Sequence, residues 1–165
     1  MSDTFVHFYE QNVSDVYGYL AYRTGSRTQA ERLTQVTFER AAHEWESLGA
    51  DHDGARVWLF SIARAAANGR SGGVGPDDAG MPSDLAKALR RLDRSERSAI
   101  ALRLGGQLVG PQIARVLDVT ENTVRRRLSR ALRRLRTELE GVGESQSAGA
   151  ELEREDHRGD QQGEP

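Results

Sequence analysis

Residues 111–128 read PQIARVLDVTENTVRRRL, and the chain continues as SRALRRLR to Arg136. Proline suits the first turn of a helix, where its missing N–H is not needed. Ile113, Leu117, Val119 and Val124 then fall on the facing sides of two helices joined at Asp118-Val119, with small Ala114 where those helices approach. The turn needs a positive φ, usually supplied by glycine, and aspartate enters that region more readily than most side chains. This spacing predicts a helix-turn-helix, in which the second helix enters the DNA major groove. Thr120 would cap that helix, placing Thr120, Glu121, Asn122 and Thr123 where base edges are reached. Arg125, Arg126, Arg127 and Arg130 follow, and arginine reads guanine or grips phosphate, while asparagine reads adenine.

Seven of the twelve residues from Arg125 to Arg136 are arginine, although the 165-residue chain has a formal net charge of −2. Val124, Leu128, Ala131, Leu132 and Leu135 form one stripe of this helix and the arginines cover the rest. A solvated charged helix is the plain reading. Seven like charges with almost no intervening acid repel one another, however, and an anionic partner relieves that repulsion.

Charge is divided along the chain. Residues 1–70 hold 7 basic and 9 acidic side chains, residues 71–82 add two aspartates, residues 83–140 hold 14 basic against 7 acidic, and residues 141–165 hold 2 against 7. All ten aromatic residues lie between Phe5 and Phe60. These shifts predict an aromatic-rich module (1–70), a linker (71–82, SGGVGPDDAGMP), a basic aliphatic module (83–140) and an acidic, disordered tail (141–165). The periodicity predicts an all-α fold of two small helical domains.

Within the first module, apolar positions from Phe5 to Leu20 predict a helix ending at Thr24-Gly25. Thr28-Gln-Ala-Glu31 has a capping-box pattern for a second helix reaching about Trp45, and Ala55–Asn68 a third, after a loop over 47–54. In the second module Ser83 can cap a helix to about Leu92, and Asp93-Arg-Ser-Glu96 starts one ending near Leu104-Gly105-Gly106. Trp45, Trp58 and the tyrosines follow helical periodicity and read as core, with Trp45 also a possible strand contact. His43 and His52 do not share a helical face, so no metal site is expected. The absence of cysteine excludes disulfides. No apolar run suits a membrane span or signal peptide, and a cytoplasmic protein is expected.

Four segments in order carry a family resemblance: AERLTQVTFERA (30–41), VWLFSIARAAAN (57–68), ALRRLDRSERSAIALRL (88–104) and IARVLDVTENTVRRRLSRALRRLR (113–136). Together they resemble an RNA polymerase sigma factor of the extracytoplasmic-function (ECF) type in the sigma-70 family. The resemblance implies a non-enzymatic initiation factor without a cofactor. Its first module would bind the β′ clamp of core polymerase through Glu31, Arg32, Thr34, Gln35 and Phe38. Trp45, Arg56, Arg64 and Asn68 would serve the −10 element, and the helix-turn-helix the −35 element. It also implies contact with the β flap, and an anti-sigma factor as a further partner. Where the family commonly shows A-E-D-L-T-Q-E-T-F, this chain has Arg32 and Val36 in place of the two later acids. A rival reading keeps the fold but not the holoenzyme: a sigma-like regulator that binds DNA through 83–140 or sequesters an anti-sigma factor.

Overall fold

The computed structural model describes residues 3–48, 52–69 and 83–156, with side chains described for 3–48, 54–69 and 84–141. The proposed linker (71–82) and the last nine residues lie outside them. Among the described residues every regular element is helical. The first module comprises α1 (Asp3–Thr24), α2 (Arg27–Glu44) with a 3-10 turn at Trp45–Ser47, and α3 (His52–Asn68). The second comprises α4 (Ser83–Arg91), α5 (Arg94–Ile100) running into a π turn at Ala101–Gly105, α6 (Gly110–Leu117) and α7 (Glu121–Asp156).

Local sequence explains most boundaries. Gly25 takes φ 66° after α1, a conformation glycine adopts without steric penalty. Ser26 then caps α2, accepting from the Gln29 N–H at 3.3 Å. Helix α2 therefore starts before the Thr28–Glu31 box expected to open it. Ser26-x-x-Gln29 offers a capping quartet directly at the left-handed glycine, and Glu31 instead pairs with Arg27 one turn back at 3.0 Å. Helix α3 likewise begins at His52 rather than Ala55. The Asp93 box forms as expected: Asp93 accepts from the Glu96 N–H at 2.8 Å, and Glu96 Oε2 accepts from the Asp93 N–H at 3.4 Å. Helix α7 carries on past Gly141 to Asp156, through residues that composition reads as a disordered tail. Extending an existing helix adds a hydrogen bond per residue without a new nucleus, and AELERED supplies good helix formers.

The modules are not separate. Tyr19, Leu20, Leu59 and Phe60 from the first share one apolar core with Leu102, Leu108, Ile113 and Leu117 from the second. A smaller cluster, Ala88, Leu89, Leu92, Ile100, Ala131 and Leu135, ties α4 and α5 to α7. Glu96 is 1% exposed and meets Arg134 at 3.0 Å, so one of the seven arginines has an internal acid. In the first module Trp45 packs on Phe5 and Phe8 with ring centroids 5.3 and 4.7 Å away, and lies 6.5 Å from Trp58.

Replacing Asp93 with alanine removes a side-chain cap and is expected to lower unfolding free energy by about 0.5–2 kcal/mol, read by urea denaturation. The Glu96 amide, with Ser95, holds the Asp93 carboxyl below the usual aspartate range. Its contribution is thus present above the ordinary aspartate pKa and is lost as pH falls through the depressed folded value. The gap between the natural chain and Asp93→Ala should narrow in acid.

Candidate functional site

The helix-turn-helix has the predicted geometry. Asp118 sits at φ 54°, ψ 54°, in the left-handed region. The Val119 N–H returns to Ala114 O at 3.0 Å and the Asp118 N–H to Arg115 O at 3.4 Å, closing α6 in a Schellman motif. Thr120 Oγ1 accepts from the Thr123 N–H at 3.2 Å and so caps α7. Ile113, Ala114, Leu117 and Val124 are buried between the two helices and Val119 is half-buried. Pinned this way, α7 presents Thr120, Glu121, Asn122, Arg125, Arg126 and Arg130 to solvent, with Thr123 and Arg127 half-buried beside them. Arg126 reaches Thr123 Oγ1 at 3.4 Å. None of these four arginines forms an ion pair with the described residues. The face is cationic, preorganised and open.

The leucine stripe departs from expectation at one position. Ala131 and Leu135 are buried and Leu128 is half-buried, but Leu132 is 50% exposed. Together with Leu104, Ile100 and Leu128 it lines a groove of about 390 Å³ between the π turn and α7. A helix at 100° per residue turns its fifth stripe position off the packed face once four others are seated.

On the first module, Glu31, Thr34, Gln35 and Phe38 converge on an apolar groove of about 820 Å³ between α1 and α2, opposite Phe5, Tyr9 and Val13. Thr34 and Phe38 are mostly buried. Thr34 donates back to Ala30 O at 2.7 Å, and Phe38 meets Tyr9 edge-on with centroids 4.7 Å apart. Gln35 Nε2 donates to Glu39 Oε1 at 2.8 Å. Arg32 and Val36 are exposed but do not line this groove. Helical periodicity reads the tyrosines, Tyr9 among them, as core. The groove is formed because Val6 and Tyr9 are each about two-fifths exposed, and the signal was an apolar stripe on α1 wider than one packing face requires.

Three of the four residues expected at the −10 element, Arg56, Arg64 and Asn68, lie at the junction between modules. Arg56 donates to Asn12 Oδ1 at 2.6 Å, to Asp15 Oδ2 at 2.8 Å and, across the junction, to Gly106 O at 2.8 Å. Its guanidinium carbon lies 5.4 Å from the Phe60 ring centroid. Arg64 donates to Val116 O at 3.0 Å. Asn68 Oδ1 accepts from Arg23 at 3.3 Å and from Arg94 of α5 at 2.9 Å. Trp45 belongs to the aromatic cluster above and is half-buried. Burial lowers the Arg23 pKa, and Arg94 and Arg64 nearby lower it further, against the pull of Tyr19. Burial pushes the Tyr19 hydroxyl up to about 12, opposed by Arg23 and Arg64. Among the described residues no three His, Asp or Glu side chains converge as for a metal, and no helix is long and apolar enough to cross a membrane.

The family model for Sigma-70 region 2 matches residues 8–68, and that for Sigma-70, region 4 matches residues 83–135. The ECF RNA polymerase sigma factor SigL of Mycobacterium tuberculosis is 30% identical over 156 residues, covering 82% of this chain and 88% of the relative. The chain belongs to the sigma-70 family, as an ECF sigma factor. The ECF sigma factor BldN of Streptomyces coelicolor is 28% identical, covering 81% of this chain and 60% of that one. Two solved structures share the fold. RpoE of Bartonella quintana, in complex with the anti-sigma factor NepR, has a TM-score of 0.68 at 22% identity, over 84% of this chain and 98% of RpoE. CnrH, in complex with the cytosolic domain of CnrY, has 0.69 at 21%, over 83% and 88%. Helices α1–α3 are therefore region 2 and α4–α7 carry region 4 of a sigma factor, a class of initiation regulator and not an enzyme.

The left-handed residue of region 4 offers a test of this geometry. Asp118→Gly relieves the αL penalty against a larger loss of chain entropy, and should leave stability unchanged or raise it by up to about 1 kcal/mol. Asp118→Val, β-branched at positive φ, should lower it by more than that in the same denaturation experiment.

Proposed function

We propose that this ECF sigma factor binds core RNA polymerase and directs it to promoters. The observation that carries the reading is the open recognition face of region 4, with four arginines that have no acid partner among the described residues, at the start of a capped helix. Thr120–Thr123 read −35 base edges, while Arg125, Arg126, Arg127 and Arg130 divide between phosphates and guanines. The exposed polar edge of α2 (Glu31, Arg32 and Gln35), beside the α1–α2 groove, meets the β′ clamp. Thr34 and Phe38 shape that groove from within. The groove at Leu104, Leu128 and Leu132 suits the apolar side of the β flap. Arg56, Arg64, Asn68 and Trp45 serve the −10 strand when accessible. The protein acts in the cytoplasm, at the nucleoid when bound to polymerase.

An anti-sigma factor is the expected regulator. RpoE, of the same fold, is seen with one, CnrH is seen with the cytosolic domain of CnrY, and an apolar groove as large as that between α1 and α2 fits a partner's amphipathic helix. The rival reading, a sigma-like protein outside initiation, has one observation in its favour. Arg32 is exposed on the proposed clamp-facing helix where the family commonly places an acid, and a cation there repels arginines on a partner.

Transcription with bacterial core polymerase on a genomic promoter library tests the proposal. The expected outcome is a defined set of start sites that vanishes when Arg125 and Arg126 are both replaced by alanine. If those two arginines contact phosphates, the change should also flatten the salt dependence of promoter binding, by about 0.9 in log–log slope per contact. An Arg32→Asp, Val36→Glu chain separates the readings. Core binding by the natural chain supports a working sigma factor, whereas binding gained only by the double variant supports the rival.

A further inference from the structure

Four guanidiniums crowd at the end of α1. Arg23 Nη2 donates to Asn68 Oδ1 at 3.3 Å, and Arg94 Nη2 of α5 donates to the same oxygen at 2.9 Å. The two guanidiniums thus lie within two hydrogen-bond lengths of each other, one from each module. Arg64 of α3 and Arg97 of α5 are close enough to repel Arg23. None of the four forms an ion pair with the described residues. Asp93, whose charge reaches Arg97, is engaged as the α5 cap by the Ser95 hydroxyl and the Glu96 amide. Burial lowers the Arg97 pKa, and Arg23 and Arg90 lower it further, against Asp93. A neutral amide oxygen is a weak answer to two cations. A guanidinium has five N–H donors, and Arg23 and Arg94 each use one among the described residues.

The base of the cluster carries a second, independent sign. Tyr19, one turn before Arg23 on α1, is 0% exposed, and its hydroxyl has no hydrogen-bond partner among the described residues. Buried hydroxyls nearly always have one, and leaving one unmet costs stability. Burial pushes the Tyr19 pKa up to about 12, against the charges of Arg23 and Arg64, so at neutral pH the group is a donor in need of an acceptor. Those two arginines also place it beneath the cluster. Its ring meets Phe60 edge-on, with centroids 5.8 Å apart, which fixes the direction of the hydroxyl. Asn68 and Arg94 are exposed and Arg23, Arg64 and Arg97 half-buried, so the cluster opens to solvent.

We propose that this cluster binds an oligophosphate: Arg23 and Arg94 grip its oxygens in place of Asn68 Oδ1, Arg64 flanks them, and the Tyr19 hydroxyl donates from below. Arg97, held by the carbonyls of Leu89, Arg90 and Leu92, adds charge without moving. A carboxylate offsets one of the four charges and a phosphomonoester at most about two. Two or three linked phosphates carry enough charge and offer oxygens to several guanidiniums at once. A nucleic-acid backbone spaces its charges singly, which suits the exposed arginine row of α7 better than cations converging on one point. Tyr19, Arg23, Arg94 and Arg97 have no part in the promoter contacts proposed above, so the site stands or falls apart from them.

Calorimetric titration of the full-length chain with inorganic pyrophosphate, at about 150 mM salt to screen diffuse attraction, tests the site. Pyrophosphate is expected to bind at least about tenfold more tightly than orthophosphate or sulfate. At ten times its Kd it should raise the melting temperature by about 3–6 °C, as mass action gives for a chain of this size. Arg23→Gln and Arg94→Gln should each weaken binding by about tenfold, the loss of one charge-assisted hydrogen bond. Arg133→Gln with Arg136→Gln, which removes exposed charge from α7, should change it less than twofold. Tyr19→Phe gives the sharpest reading. It should leave the melting temperature of the anion-free chain unchanged or raised, because the lost hydroxyl had no partner, yet weaken pyrophosphate about tenfold. A less stable anion-free Tyr19→Phe chain with unaltered affinity would overturn the inference, as would equal binding of sulfate or equal losses in the α7 variant. Binding that appears only when Asp77 and Asp78 are both replaced by asparagine would overturn it too, by showing that the chain's own acids answer the cluster. So would equal affinity for a short single-stranded oligonucleotide, lost with the same variants. Inorganic triphosphate and ATP then distinguish the sources: equal affinity supports a site for the phosphate chain alone, and tighter ATP one that also holds the nucleoside.

Discussion

The architecture depends on two backbones that touch. Gly18 and Gly105 approach so closely that neither has room for a side chain, and around this point the two modules share an apolar core. Everything else at the junction follows from it. Once α1 and the π turn are in contact, Gly106 O comes within reach of Arg56, and the end of α6 comes within reach of Arg64. The arginines then serve as polar closures on an apolar seam, each answering a carbonyl that the end of a helix leaves unpaired. Neither polar contact would form without the backbone approach, because a displacement of about an ångström takes a hydrogen bond out of range.

The electrostatics of the two regions contrast. At the junction, guanidiniums are half-buried and answered by carbonyls, amide oxygens and one carboxylate, Asp15. On the recognition helix, Arg125, Arg126, Arg127 and Arg130 receive no such answer from the described residues, while Arg134 further along meets buried Glu96. The single α7 helix therefore divides by function: its inner side and later turns hold region 4 together, and its first three turns are left charged. A chain of slightly negative net charge can offer so cationic a face because 16 of its 25 acids lie in residues 1–70 and beyond residue 140.

Much of this was legible in the sequence, and particular residues show why. The turn at Asp118, the Thr120 cap and the Asp93–Glu96 box depend on interactions three or four residues apart, so short-range chemistry determines them. Helix periodicity placed Val124, Ala131 and Leu135 correctly for the same reason. Leu132 was misplaced because a stripe says which side of a helix is apolar, not how wide its neighbour is. Two overlapping quartets, Ser26–Gln29 and Thr28–Glu31, satisfy one capping rule, and only the left-handed Gly25 decides between them. Arg56, Arg64 and Asn68 illustrate the other limit. Their residue types and helix were readable, but the partners they meet lie 26 to 52 residues away along the chain. Two are backbone carbonyls, Gly106 O and Val116 O, which no side-chain pattern can announce. The Gly18–Gly105 approach was hidden likewise, since glycine at either position reads as a weak spot or a helix end until the other is seen.

The π turn at Ala101–Gly105 makes the junction a matter of length as well as chemistry. One such turn accommodates an extra residue within a helix. Deleting any one residue from this stretch would let the helix continue as α and rotate the chain beyond it by about 100°. If the residue lost is one of Ala101–Leu104, Gly105 would then face away from Gly18, with every remaining side chain of region 4 unchanged. Among relatives of this sigma factor, a one-residue gap here would separate those that share this closed arrangement from those that do not. Sequence identity alone would overlook that difference.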